Sequence, residues 1–417
     1  MAKKIIVFII LLIVIILVGT YLIYKPVAPW PAPLYDEGAT LEGVGAVVKG
    51  NNQFAFDFYA KRNSDSNFFF SPYSVSGAVS MVYEGAKGDT ATQIASVFYL
   101  PNIKVLETSS AKIYNDINKR NKSYALNTAN ALWAQKNYIF LSEYFSTVDK
   151  YYGGKLTNLD FVDDTENSRL TINKWVEDQT NDKIKDLIPQ GAINGFTRLV
   201  LTNAIYFKGK WDKQFEKAET KQEDFTVAVG NTIKTDMMRL TGEDAKFKYA
   251  ENDDIQVLNM PYQGNDLSMT LLLPKAGKSM QDAEKYLNAE KFSSLEAGMQ
   301  ESQVNVYIPK FKLETKYFMK DDLFSMGMPI AFSGSADFSG MTGKKDLTID
   351  QVIHQAFVEV NEEGTEAAAA TAITMKLTAM APSSIKTFRA DHPFIFLIQQ
   401  NSTGNILFLG RLNNPAK

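Results

Sequence analysis

The chain of 417 residues predicts an α+β fold built on large, mostly antiparallel sheets. Three observations predict it. Apolar residues recur at helical spacing in the first third, whereas later segments alternate with the period of strands. Neither a low-complexity linker nor a fixed-period repeat interrupts residues 41–417, so one large body is expected. Apolar residues make up 45% and charged residues 22%, enough to bury a substantial core.

Taken in order, the chain begins with Lys3 and Lys4, followed by an almost unbroken apolar run from Ile5 to Tyr24. A helix of about 20 residues spans roughly 30 Å, the hydrocarbon thickness of a bilayer. A cleaved signal peptide has a shorter apolar region and a small-x-small site. Here the run ends Gly19-Thr20-Tyr21-Leu22-Ile23-Tyr24-Lys25, with no Ala-x-Ala. The expectation is that residues 1–25 are a membrane anchor or signal segment, with residues 5–24 in the lipid bilayer. The leading lysines put the amino terminus in the cytoplasm and the rest of the chain outside it. The protein is then membrane-anchored, or secreted if the segment is removed. Residues 26–40 hold Pro26, Pro29, Pro31 and Pro33 and read as a stiff spacer. Residues 41–417 are the folded domain, expected as a monomer.

Within that domain, Asn51 to Lys61 carries apolar residues at helical spacing. Ser71-Pro72 starts a helix, since Ser caps and Pro fits the first turn, and Gly85 ends it. Thr90–Val97 and Ser168–Asn181 are further helices, the latter with Trp175 on its apolar side. Arg198–Tyr206, Leu267–Leu273, Val304–Ile308, Leu347–Val360 and Phe394–Ile398 alternate as strands.

Several chemistries are excluded. With no cysteine there is no disulfide, thiol nucleophile or Cys-built metal site. The 44 basic and 47 acidic residues give no basic excess for nucleic acid. No G-x-S-x-G, phosphate loop, H-E-x-x-H or dinucleotide fingerprint occurs. The only histidines are His354, inside an alternating strand, and His392, between Asp391 and Pro393. Both read as structural, so no catalytic residue, metal or cofactor is expected.

One segment fits no ordinary element. Residues 362–384, between two strand patterns, run Glu362-Glu363-Gly364-Thr365-Glu366 into Ala367-Ala368-Ala369-Ala370 and on to Pro382-Ser383-Ser384. An unstructured loop of this length in a compact domain is usually functional or disordered. At period two, Thr365, Ala367, Ala369, Thr371, Ile373 and Met375 share one side, and Glu366 and Lys376 fall on the other. Such a segment is suited to be loop in one state and strand in another.

Six groups of residues occur in a telling order. They are Asn67-Phe68-Phe69-Phe70-Ser71-Pro72-Tyr73-Ser74 with Gly85-Ala86-Lys87-Gly88; Thr202-Asn203-Ala204-Ile205-Tyr206-Phe207-Lys208-Gly209-Lys210-Trp211; Pro309-Lys310-Phe311; Ala336-Asp337-Phe338-Ser339-Gly340-Met341; Val358 through Ala369; and Phe388-Arg389-Ala390-Asp391-His392-Pro393-Phe394. Across residues 45–415 the chain closely resembles the serpin family of protease inhibitors.

The resemblance implies three β-sheets, eight or nine helices and an exposed reactive-centre loop at about 362–387. It implies an irreversible, suicide-substrate partnership with a serine protease. The protease cleaves the loop, is held as a covalent complex, and is carried along as the loop inserts into the central sheet. The hinge is Glu362, Gly364, Thr365, Glu366, Ala367, Ala368, Ala369 and Ala370. Its small residues look like those of inhibitory members; non-inhibitory members tend to carry bulky or charged ones. Counting fifteen along from Gly364 puts the reactive bond at Thr378-Ala379, with Met375 and Leu377 in neighbouring subsites. Counting back from Phe388 gives Pro382-Ser383, a poor protease site, and cuts after Lys376, Leu377 or Met380 stay open. A small Thr378 suggests an elastase-like or subtilisin-like target. Ser71, Ser74, Asn203 and His354 match the family's cluster that controls sheet opening, and Trp211 and Glu362 match the region where the loop enters. The alternative is a non-inhibitory carrier, chaperone or adhesion module.

Overall fold

Three of the first four helices begin at a residue whose side chain caps them. In the computed structural model, which describes residues 32–62, 65–119, 123–365 and 385–416, Thr40 caps α1 (Leu41–Lys61) by accepting from the Gly43 amide. After β1 (Phe68–Phe70), Ser71 caps α2 (Pro72–Gly85), with proline in its first turn. α3 (Gly88–Phe98) ends on Tyr99 in the left-handed conformation, and Asn102 caps α4 (Ile103–Ile117). Next come β2 (Tyr124–Gln135), α5 (Ser142–Tyr152), β3 (Lys155–Leu159), α6 (Thr165–Gln179) and β4 (Leu199–Lys210). A run of strands follows: β5 (Lys221–Ala228), β6 (Asn231–Leu240), β7 (Lys246–Glu251), β8 (Ile255–Pro261) and β9 (Leu267–Pro274). The chain continues through α7 (Met280–Glu284), α8 (Ala289–Gly298), β10 (Gln300–Pro309), β11 (Phe311–Phe318), α9 (Lys320–Met326) and α10 (Ser339–Thr342). It closes with β12 (Gln351–Asn361), β13 (Gly364–Thr365), β14 (Lys386–Arg389), β15 (Phe394–Gln400) and β16 (Asn405–Leu412).

Ten α-helices thus stand among the described residues, against the eight or nine expected. The two shortest, α7 and α10, have five and four residues, too few to leave a helical period in the sequence. The expected strand Leu347–Val360 starts only at Gln351. Ahead of it the Asp350 carboxylate turns aside to accept the Arg198 and Leu199 amides.

The strands form one six-stranded sheet, β11-β12-β13-β4-β2-β3, and a ten-stranded assembly, β1-β16-β15-β9-β8-β7-β10-β6-β5, with β14 beside β10. Strand β10 belongs to two sheets. Its first half, Gln300–Gln303, pairs with β7, and its second half pairs with β6 and β14. The assembly is therefore two sheets sharing one strand, and the fold has three.

Residues on the inner face of the six-stranded sheet, such as Ile205, Phe207, Ala356 and Val358, pack into one core. On the outer face, Trp133, Val200, Tyr206 and Phe357 pack with Ile172 and Val176 of α6. Residues 34–417 form one compact unit. Residues 5–24 and the first part of the spacer, 26–31, lie outside the described residues.

Candidate functional site

Strands β12 and β4 are parallel neighbours over Gln351–Phe357 and Val200–Tyr206. Beyond that they part, and β13 sits between them, antiparallel to both. Thr365 lies opposite Val360 on one side and Gly209 on the other. Gly364 lies opposite Asn361 and Lys210. The first two residues of the predicted hinge strand are thus already seated in the sheet.

Local chemistry explains the seat. Gly364 has φ +154°, and a Cβ there would lie 2.0 Å from the Gly209 carbonyl oxygen. Only glycine fits so close to another backbone. The Thr365 side chain is buried and its hydroxyl is 2.7 Å from the Tyr262 hydroxyl. Tyr262 in turn stacks on Trp211 at 4.6 Å, and the Trp211 indole donates to the Asn361 carbonyl at 3.0 Å. The Trp211 and Phe215 amides donate to the carbonyls of Glu363 and Glu362, at 2.9 Å each.

Two buried carboxylates flank the seat. Glu362 accepts from the Thr220 hydroxyl at 2.8 Å and pairs with Lys310 at 3.1 Å. Burial raises its pKa, but backbone and Thr220 hydrogen bonds and Lys310 outweigh that and hold it below the usual range. Glu363 pairs with Lys217 at 2.6 Å through one oxygen, and its buried Oε2 has no hydrogen-bond partner. Both glutamates therefore meet a lysine from outside the hinge.

The lower, closed part of the seam is held differently. His354 stands opposite Asn203 in the parallel pairing and is fully buried. Its Nε2 accepts from the Ser71 amide at 3.1 Å, which leaves the proton on Nδ1 to donate to the Asn203 amide oxygen. The Asn203 amide nitrogen donates to the Ser74 hydroxyl and to the Asn130 amide oxygen. The Ser71 hydroxyl donates to the Leu407 carbonyl at 2.6 Å and accepts from the Ser74 amide at 3.1 Å. Burial pushes the His354 pKa down to about 3, against the smaller raising effect of Asn203, so the ring is neutral. Ser71, Ser74, Asn203 and His354 are thus brought into one network across α2, β4 and β12.

Sequence reasoning missed Asn130, Tyr262, Lys310, Lys217 and Thr220 as members of these sites. Apart from Lys310, which stands in the Pro309-Lys310-Phe311 group, no local pattern marks them, because strand register and hinge position bring them in. Glu366, Ala367, Ala368, Ala369, Ala370, Met375, Leu377, Thr378 and Ala379 lie outside the described residues. His392 lies apart from the seam, with Nδ1 2.8 Å from Asp391 and Nε2 2.8 Å from the Pro274 carbonyl. Among the described residues no cluster of His, Asp and Glu could hold a metal ion.

The family model described as Serpin (serine protease inhibitor) matches residues 49–415. The chain belongs to the serpin family. It is 41% identical to human Serpin B3 over 395 residues, covering 89% of this chain and 100% of that one. It is 43% identical to the leukocyte elastase inhibitor of Xenopus tropicalis over 371 residues, covering 87% and 97%. Its fold is similar to the crystal structure of human thyroxine-binding globulin complexed with thyroxine. That match has a TM-score of 0.81 at 27% identity and covers 89% and 99% of the two chains. Serpins are protease inhibitors rather than enzymes, and the family also has members that do not inhibit.

Proposed function

We propose that this serpin is an irreversible, suicide-substrate inhibitor of extracytoplasmic serine proteases, with an elastase-like or subtilisin-like target. The observation that carries this reading is the seated hinge. Continuing its register sets Thr371 between His354 and Asn203, and residue 374 opposite Gln351 and Val200, on both neighbours at once. The residues sharing the Thr365 face, Ala367, Ala369, Thr371, Ile373 and Met375, would then enter a buried surface that includes Phe207, Ile205 and Val358. Their small size lets the first half pass, and Ile373 and Met375 would each add roughly 1.5–3 kcal/mol on burial.

The chemistry follows. The protease serine Oγ attacks the Thr378 carbonyl carbon. The Thr378–Ala379 C–N bond breaks, the serine proton passes to the departing Ala379 amine, and an ester joins Thr378 to the protease. Water would complete hydrolysis, but only with the oxyanion donors aligned. Insertion drags the ester away, and a misplacement of about 1 Å can cost roughly a hundredfold in rate. Around this core, residues 1–25 act as the membrane anchor and residues 26–33 as the spacer, since Leu34 and Tyr35 already bond to Asn115 and Lys150 in the compact unit, which corrects the expected spacer end at residue 40. Residues 34–417 then work as a monomer outside the cytoplasm.

The test is to mix the chain with elastase-, subtilisin-, trypsin- and chymotrypsin-like proteases, run denaturing gels and locate the cut by mass spectrometry. A stable complex cut at Thr378-Ala379 is expected, and Thr378→Arg should shift it toward trypsin-like enzymes. Clean loop cleavage with no complex would favour a carrier role, the reading suggested by the likeness to the thyroxine-binding globulin structure.

A further inference from the structure

The segment that leaves the sheet at Thr365 rejoins the described fold at β14. Among the described residues β14 pairs with β10 alone, over the four residues Lys386–Arg389. So short a ladder at a sheet edge depends on side chains to keep its place. Lys386 is tied to Glu251 of β7 at 2.9 Å, and Gln256 of β8 donates to the Thr387 carbonyl at 2.8 Å. Arg389 pairs with Glu223 of β5 and, at 3.1 Å, with Asp391. The Thr226 amide of β5 donates to the Asp391 carbonyl at 2.8 Å.

The turn into β15 contains His392, whose ring meets an acceptor at each nitrogen. Nδ1 is 2.8 Å from Asp391 Oδ1, and Nε2 is 2.8 Å from the carbonyl of Pro274, the last residue of β9. A carbonyl oxygen only accepts, and so does an ionised carboxylate. A neutral imidazole carries one N–H, so in either tautomer one nitrogen lone pair faces an oxygen lone pair. The imidazolium donates to both. Burial disfavours the charged ring, but Asp391 and the Pro274 carbonyl outweigh it and raise the His392 pKa above its usual value. Burial also raises the Asp391 pKa, but His392 and Arg389 outweigh that and hold it below the usual carboxylate range. The other charged groups around the turn are Arg389 of β14, Glu223 of β5, Arg239 of β6 and, beside Pro274, the Lys275–Glu251–Lys386 bridge. Against burial, Arg239 and Arg389 hold Glu223 low, and Lys275 and Lys386 hold Glu251 down at about 2. Neither carboxylate therefore changes charge with the ring near neutrality.

We propose that His392 is a proton-operated fastener of β14. Charged, it pins the β14–β15 turn to the end of β9; neutral, it gives up one of its two hydrogen bonds and lets β14 loosen. With 30% of its side chain exposed, the ring exchanges protons with water. The sign follows from the raised value. The contribution of the charged ring is complete below about 6.5, the free imidazole value, and is lost as pH climbs through the higher folded value. The fastening is independent of what the loop does, but its consequence rests on the inhibitory reading above. Under that reading the uncut loop is restrained at both ends, by its seat at Thr365 and by β14. A loosened β14 lets it enter the seam uncut, and the chain loses activity with time. A complex already formed is cut between the two ends and is indifferent to β14.

The test uses the full chain in mild detergent with labelled histidines, of which there are two. His354 is buried and neutral, so NMR should show one ring that titrates between about pH 5 and 9. Both of its N–H protons should be present at neutral pH, with a midpoint above 6.5. Hydrogen exchange of the Thr387–Arg389 amides, taken relative to those of β16 at each pH, should quicken about tenfold between about pH 6 and 9, the scale for one hydrogen bond to a charged group. His392→Gln should remove that dependence, and Asp391→Asn, which keeps the ring, should lower the midpoint. The inhibitory lifetime of the uncut wild-type chain should shorten over the same range by the same factor. A midpoint at or below 6.5, or the same pH dependence of exchange in His392→Gln, overturns the proposal; should that variant not fold, the wild-type titration and exchange decide it alone. A lifetime indifferent to pH while exchange follows it overturns the role of β14 in restraining the loop. The expected titration and exchange without a covalent complex from any protease overturn the inhibitory reading and leave the fastener standing.

Discussion

The two parts of the β12–β4 seam are closed by opposite means. The upper part is already parted, wedged by Gly364 and Thr365 and fastened by charges: Glu362 with Lys310, Glu363 with Lys217. The lower part is paired strand to strand, and its fastening is a neutral network around His354 with no ion pair in it. At the entrance each pair joins a buried carboxylate to a lysine whose side chain is 61% or 37% exposed, so water can replace the lysine at lower cost than in a fully buried pair. Buried neutral hydrogen bonds have no such replacement, because a broken one leaves a stranded donor or acceptor. Under the proposed inhibitory reading, the entrance would yield first and the interior would resist until a strand arrived to replace what it breaks.

The largest effect that would break this contrast is expected from Thr365→Arg. The Thr365 side chain is fully buried against Tyr262, and a guanidinium there would be an unpaired buried charge, worth several kcal/mol. Inhibition should collapse into simple cleavage, read as a steep rise in inhibitor molecules consumed per protease trapped. An unchanged stoichiometry would mean that the strand does not enter through this seat.

His354→Ala comes next. It strands the Ser71 amide and the Asn203 side chain, and should cost about 2–3 kcal/mol. Urea unfolding of the uncleaved protein measures it. A loss no larger than that of an exposed alanine substitution would remove the lower part from the comparison.

Acid sharpens the same point. Folded His354 stays neutral down to about pH 3, whereas a free imidazole titrates near 6.5. Its contribution is complete above 6.5 and falls as pH drops from there toward 3, by at most roughly 1–1.5 kcal/mol per pH unit. Serine, asparagine and the Tyr317 ring, stacked 6.4 Å away, surround it, and none of them changes charge in that window. A pH series of unfolding curves should therefore flatten in His354→Gln relative to wild type. Parallel curves would assign the acid response to other groups.

The smallest effect belongs to Trp211→Phe. The ring can still stack on Tyr262, so the change removes chiefly the hydrogen bond to the Asn361 carbonyl, about 1 kcal/mol. It should slightly speed spontaneous loop insertion on warming, followed by loss of inhibitory activity with time.

Much of this was legible in the sequence, and the reasons for the rest are specific. Ser71-Pro72 announced a capped helix because capping is a local property. Alternation revealed β4 and most of β12 for the same reason. The helix Ile103–Ile117 escaped notice because its buried face includes Glu107 and Ser109, which blur the apolar period. That His354 faces Asn203 depends on a parallel register between strands some 150 residues apart, which no window of sequence contains. Gly364 could be named as a hinge from the resemblance, but its necessity comes from the Gly209 carbonyl beside it. The parted seam itself is a property of three strands at once.

Asp350 closes the foot of the seam, its carboxylate holding the Arg198 and Leu199 amides while its own amide donates to the Leu199 carbonyl. Under the proposed insertion it would act as a stop that measures the stroke. Ten residues, Thr365 to Thr374, can be taken up before this clasp must let go. Loop length then becomes a mechanical dimension of the protein. Deleting two hinge alanines keeps every remaining side chain on its proper face and shortens the travel by about 6.6 Å, whereas deleting one turns Ile373 and Met375 outward. Under that reading the protein depends on an interval as well as on a sequence.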